Sequence, residues 1–106
     1  MVGASDAMGA SSGRIRVVLG GDSSRTRRAL YELLVSQPDM ELVGVADDGE
    51  MALRILRSLR PDVALLDEDM ASFGGNAVAR VLARELPDLQ IVVLTAPQTG
   101  DAWRLW

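Results

Sequence analysis

The chain has 106 residues, 48% of them apolar, and a formal net charge of -4. That is one domain's worth of chain with enough apolar content for a packed core, which excludes a disordered polypeptide. All eleven basic residues are Arg, and Lys and His are absent. Catalysis by a His base or a Schiff-base Lys of this chain is therefore excluded. With no basic run, so is gripping nucleic acid through clustered positive charge. There is no cysteine, no apolar stretch long enough for a bilayer span and no signal-peptide pattern. The expectation is a cytoplasmic protein without a membrane partner.

Residues 1–13, MVGASDAMGASSG, are small and polar and read as a flexible leader. The domain is expected over 14–106. Ile15 to Leu19 is a β-branched run closed by Gly20-Gly21, hence a strand. Asp22-Ser23-Ser24 is a helix start, after which Ala29, Leu30, Leu33 and Leu34 mark one helical face and Pro38 closes the helix. Met40 to Ala46 is a second strand, mixed enough in character to suit a sheet edge. A turn follows, with Asp47 and Glu50 at capping-box spacing. The next helix has Ala52, Leu53, Ile55, Leu56 and Leu59 on its apolar side and Arg54, Arg57 and Arg60 on its wet side.

Pro61 ends that helix, and Asp62 to Asp67 is a third strand. A loop over 71–75 leads to a helix from about Asn76 to Glu85, with Val78, Val81 and Leu82 inward. Gln90 to Leu94 is a fourth strand, and Asp101 to Trp106 reads as the start of another helix. Strand and helix alternate throughout. The pattern calls for an α/β fold with a mostly parallel, doubly wound sheet.

Such sheets bind ligands beyond the carboxyl ends of their strands. Asp22 follows strand one, Asp67 ends strand three and Thr95 follows strand four, so parallel strands bring all three to one rim. Paired carboxylates suit a hard divalent cation such as Mg²⁺. A carboxylate can also carry a phosphoryl group as an aspartyl-phosphate, and a Thr hydroxyl can donate to a phosphoryl oxygen. The constellation fits metal-assisted phosphorylation of Asp67. The bland alternatives are a helix cap or turn residue for Asp22, an ordinary loop residue for Thr95, and solvated loop charges for Glu68 and Asp69.

Three segments, IRVVLGGDSSRTRRALYELL, VGVADDGEMALRILRSLRPDVALLDEDM and LPDLQIVVLTA, carry a resemblance. From Ile15 to about Trp106 the chain resembles the receiver domain of bacterial two-component response regulators, of the NarL/LuxR type. The resemblance implies a flavodoxin-like sheet in order 2-1-3-4, with the fifth strand and fifth helix missing from this chain. It implies Asp67 as phosphoacceptor and Thr95 as switch hydroxyl. Mg²⁺ would be held by Asp22, Asp67 and the backbone carbonyl of Asp69. A histidine kinase would be the phosphodonor, and the domain would be no enzyme in its own right. DNA would be bound only through a further C-terminal domain of a transcription regulator.

The sequence departs from that pattern. Gly21 stands where the first acid of the metal pair is expected, which weakens or removes Mg²⁺ binding. Ala71 replaces a usual Pro and Gly74 a frequent Asp, and the Lys that pairs with the phosphoryl group is absent. Two readings stay open: a phosphorylated switch, and a degenerate receiver acting by protein contacts or by a ligand. A phosphate-cradling turn of a nucleotide-binding enzyme at Gly20–Ser24 ranks below both, because it lacks the spacing of known phosphate loops. With no fifth strand, the IVVL edge of strand four would be bare, and Trp103, Leu105 and Trp106 would end the chain unburied. Self-association through that edge and tail is the expectation.

Overall fold

The computed structural model describes residues 13–21, 24–95 and 102–105. The elements in chain order are β1 (Ile15–Gly20), α1 (Ser24–Val35), β2 (Met40–Ala46), α2 (Gly49–Leu59), β3 (Val63–Asp67), α3 (Gly75–Glu85), β4 (Gln90–Thr95) and β5 (Ala102–Leu105). The sheet order is β2-β1-β3-β4-β5. The first four strands run parallel, as the alternation of strand and helix requires, and β2 is the edge that its mixed composition suggests.

One sheet face is closed. Val18 of β1, Ala64 and Leu66 of β3, and Ile91 and Val93 of β4 pack with Leu56 of α2 and with Val78 and Leu82 of α3. The right-handed rule for parallel crossovers assigns α1, which packs on β1 and β2, to the opposite face from α2 and α3, which pack on each other. That second face is closed at Val17 and Leu19 but only half covered at Val63, Leu65, Val92 and Leu94. Gly44 lets α2 approach β2, since a Cβ there would meet Ile55 and Leu59 at 3.1 Å.

Long-range bonds fasten the helix ends to the sheet. Arg16 Nη1 donates to the carbonyls of Leu59 (2.9 Å) and Arg60 (3.1 Å), satisfying the last turn of α2. The Arg16 amide donates to Asp62 Oδ2 at 2.8 Å. Between α2 and α3, Arg57 makes a two-pronged contact with Glu85, both distances 2.9 Å. The guanidinium hydrogen bonds hold the Glu85 carboxyl below its ordinary value and raise that of Arg57.

Several expectations need correction. Val81 is 42% exposed and Leu33 57% exposed; the inward residues of α3 are Val78, Ala79 and Leu82, and the buried leucine of α1 is Leu34. The α2 cap is Asp48, whose side chain accepts from the Met51 amide, while Asp47 is held elsewhere. The largest difference is at the tail. Residues 102–105 form no helix: they run antiparallel to β4, with Val92 opposite Leu105 and Thr95 opposite Ala102. The parallel strands keep the expected order 2-1-3-4, but the β4 edge is not bare, and a fifth strand of reversed direction stands beside it. The physical reason is that the unpaired backbone groups of β4 need partners. A short connection reaches that edge in the antiparallel sense.

Because Leu56 is fully buried and Leu33 is not, their truncations separate core from surface. Leu56→Ala is expected to cost about 2–5 kcal/mol in urea unfolding, whereas Leu33→Ala should stay within about 0.5 kcal/mol.

Candidate functional site

The site is set by strand register. Gly20, the last residue of β1, lies opposite Leu66, and Asp67 lies opposite Leu94. The ends of β1, β3 and β4 therefore meet at one rim, with Thr95 one residue beyond the partner of Asp67. Asp67 is half-buried there. Its Oδ1 accepts from the Asp69 amide at 3.1 Å, a local Asx-type bond that orients the carboxylate from its own loop. Oδ2 faces the β1 end: a Cβ placed on Gly21 would lie 3.2 Å from Asp67 Cβ and 3.5 Å from Oδ2. The missing side chain at Gly21 thus leaves space directly against the free oxygen.

Of the three residues expected at this rim, strand register brings Asp67 and Thr95 together, with Asp69 two residues beyond Asp67 in the loop. Asp22 lies outside the described residues, as does Trp106. Among the described residues there is no grouping of three acidic, His or Cys side chains that could hold a metal ion. Among the described residues, the Asp67 carboxylate is an oxygen donor of the kind a hard cation takes, but one carboxylate is a sparse set, and Mg²⁺ held by it would keep several waters.

The loop after β3 is built tightly. Met70 is buried in the core, and the Ala71 carbonyl accepts from the amide of Gly49 at 3.0 Å, tying the loop to the start of α2. The Glu68 amide donates to the Leu94 carbonyl at 2.7 Å. Glu68 is not a solvated charge. Its Oε1 accepts from both the backbone amide and Nδ2 of Asn76, each at 2.8 Å. The N-cap of α3, Gly74, offers no side-chain bond, and a Cβ on it would overlap the Glu68 carbonyl oxygen. Glu68 therefore supplies the cap from six residues upstream, with a carboxylate at the positive end of the helix. A sequence signal existed: a Gly at the cap position leaves a helix start in need of an outside acceptor. The other residue missed is Arg27. Its Nη1 donates to the Gly21 carbonyl at 2.9 Å and pairs with the Asp47 carboxylate.

A four-stranded parallel sheet in this order, with an acid ending its central strand, defines the flavodoxin-like receiver class. Residues 17–103 match the response regulator receiver domain family, and the chain belongs to that family. It is 40% identical over 82 residues to the transcriptional regulatory protein LiaR of Bacillus subtilis, covering 77% of this chain and 39% of that protein. It is 37% identical over 94 residues to protein-glutamate methylesterase/protein-glutamine glutaminase 1 of Myxococcus xanthus, covering 89% of this chain and 27% of that protein. Among solved structures it resembles the signal receiver domain of the response regulator NarL from Mycobacterium tuberculosis. The TM-score there is 0.75 at 34% identity, over 82% of this chain and 70% of that one. The chain spans less than half the length of these curated relatives.

Capping by Glu68 is testable through stability. Glu68→Leu should lose about 1 kcal/mol, and Glu68→Gln clearly less, since an amide oxygen can still accept from Asn76; equilibrium urea unfolding of both variants checks this.

Proposed function

We propose that this receiver domain takes a phosphoryl group on Asp67 and passes the change on through its surface to an output. The observation that carries the reading is the state of the Asp67 carboxylate: Oδ1 is held by the Asp69 amide, while Oδ2 faces the open side of Gly21. Oδ2 is then the nucleophile. It attacks the phosphorus of an acyl phosphate or of a phosphohistidine. The new O–P bond replaces the bond to the leaving group, and acetate or imidazole departs. A histidine kinase is the natural donor for such a site. Thr95 is placed to donate to a phosphoryl oxygen, and Asp22 and the Asp69 carbonyl would complete a Mg²⁺ site around Asp67, where the ion would offset charge on the phosphoryl oxygens. The output we favour is transcription control, which the likeness to LiaR supports; the likeness to a methylesterase points to a catalytic output as the other choice.

A second reading has its own observation. Gly21 leaves the rim without the first acid of the metal pair. That favours a degenerate receiver that works by protein contacts. The expected self-association loses one support, because β5 covers the β4 edge. The exposed Tyr31, Leu33 and Val35 of α1 offer a different apolar surface for it. The nucleotide-turn reading gains nothing, since Gly20 is a paired strand residue. Among the described residues no helix is long and apolar enough to cross a membrane.

Acetyl phosphate with Mg²⁺ should add one phosphoryl mass to the protein slowly, and Asp67→Asn should abolish the addition; intact-mass spectrometry reads both. Labelling that survives Asp67→Asn would mean another residue is the acceptor, and no labelling at all would favour the degenerate receiver. Restoring an acid, by Gly21→Asp, should tighten Mg²⁺ binding in calorimetry. The gain requires Asp67 to yield slightly to the 3.2 Å approach, and an unchanged affinity would mean that the two carboxylates do not share a cation.

A further inference from the structure

Gly21 forms the wall of the pocket against Asp67, yet it has no side chain by which to be anchored. Its position is fixed by its peptide groups alone. The Gly21 amide donates to the Ala46 carbonyl at 3.0 Å, and the Gly21 carbonyl accepts from Arg27 Nη1 at 2.9 Å. The same nitrogen pairs with Asp47, the residue that follows β2. The guanidinium side chain is 29% exposed and the Asp47 side chain 65% exposed. An ion pair that open to water adds little to stability. The bond to the carbonyl of buried Gly21 is charge-assisted and stronger, and it acts on the residue with the greatest conformational freedom. A connected path therefore runs from the loop after β2, through Asp47 and Arg27, to Gly21 and the face of Asp67.

We propose that Arg27 is a positioning residue for the Asp67 pocket. By clasping the Gly21 carbonyl to Asp47, it holds the Gly21 backbone at the clearance that leaves Oδ2 open to a phosphodonor. A Gly21 backbone that relaxed inward would cover Oδ2, and one that swung outward would leave the carboxylate to water. The proposal rests on the reading of Asp67 as phosphoacceptor. A displacement of about 1 Å at a reacting group can cost up to about a hundredfold in rate, so loss of the clasp should be visible in kinetics while the fold survives.

The test compares wild type, Arg27→Ala, Arg27→Lys and Asp47→Ala. Two readouts are followed: the rate of acetyl phosphate labelling against donor concentration, and the amide resonances of Gly21 and Asp69 in ¹H–¹⁵N spectra. Arg27→Ala should slow labelling at least about tenfold, through the maximal rate rather than the half-saturating donor concentration. Both amides should shift. Arg27→Lys, which keeps a cation with donors, should recover much of the rate. If Arg27→Ala fails to fold, Asp47→Ala, which removes the acceptor altogether, tests the same clasp from its solvent-exposed end. Should the wild type take no label, the reading of Asp67 as acceptor fails, and the amide shifts alone decide the positioning role. A folded Arg27→Ala or Asp47→Ala variant with unmoved Gly21 and Asp69 amides, or with the wild-type labelling rate, would overturn the proposal.

Discussion

The site depends on β3 lying between β1 and β4 in parallel register. Gly20 pairs with Leu66 and Asp67 with Leu94, so the acid that ends β3 lies beside the loop after β1 and one residue short of Thr95. A slip of one residue would turn every side chain of β3 to the other face and carry Leu66 out of the core. The burial of Ala64 and Leu66, both fully shielded, opposes that slip. Hydrophobic burial of β3 thereby fixes the position of a polar residue that contributes nothing to the core.

The rim itself is held by bonds made at a distance. Glu68 caps α3, Asp48 caps α2, the Ala71 carbonyl ties the loop after β3 to Gly49, and Arg27 links the loops after β1 and β2. These contacts use the orphan groups of helix ends and loops, which must be satisfied somewhere. Here they also immobilise the backbone around Asp67. Sites of this kind owe their precision to such supporting bonds more than to the reacting group itself.

The sequence made much of this legible. β2 has the expected bounds, Met40–Ala46, because a seven-residue segment with valines at alternate positions, set between Pro38 and an acidic turn, has few alternatives. Asp67 was legible for a topological reason: alternation of strand and helix forces parallel strands, and parallel strands bring their carboxyl ends together. Helical periodicity was less secure. Val81 and Leu33 fit an apolar stripe by spacing but sit on its margin, and spacing alone does not say how wide a face the neighbours cover. Arg27 was illegible, and Glu68 was legible only as a helix start without a cap of its own, because the partners of both are chosen by the fold. Arg27 reaches Asp47 across 20 residues of chain, and the acceptance by Glu68 of two bonds from Asn76 follows from the tight loop between them. The tail was illegible because six residues carry too little periodicity to separate a helix start from a strand, so the bare β4 edge was expected to be met by another copy when residues 102–105 of the same chain pair with it.

The central claim is that the Asp67 rim is one connected unit that responds to a phosphoryl group. Beryllium trifluoride anion binds carboxylates as a tetrahedral mimic of that group, without chemistry. A ¹H–¹⁵N titration of the protein with this anion and Mg²⁺ tests the claim most directly. The account predicts shifts concentrated at Gly21, at the residues from Asp67 to Met70 and at Thr95, with none of them in Asp67→Asn. An unperturbed spectrum, or shifts centred on the opposite end of the sheet, would contradict it.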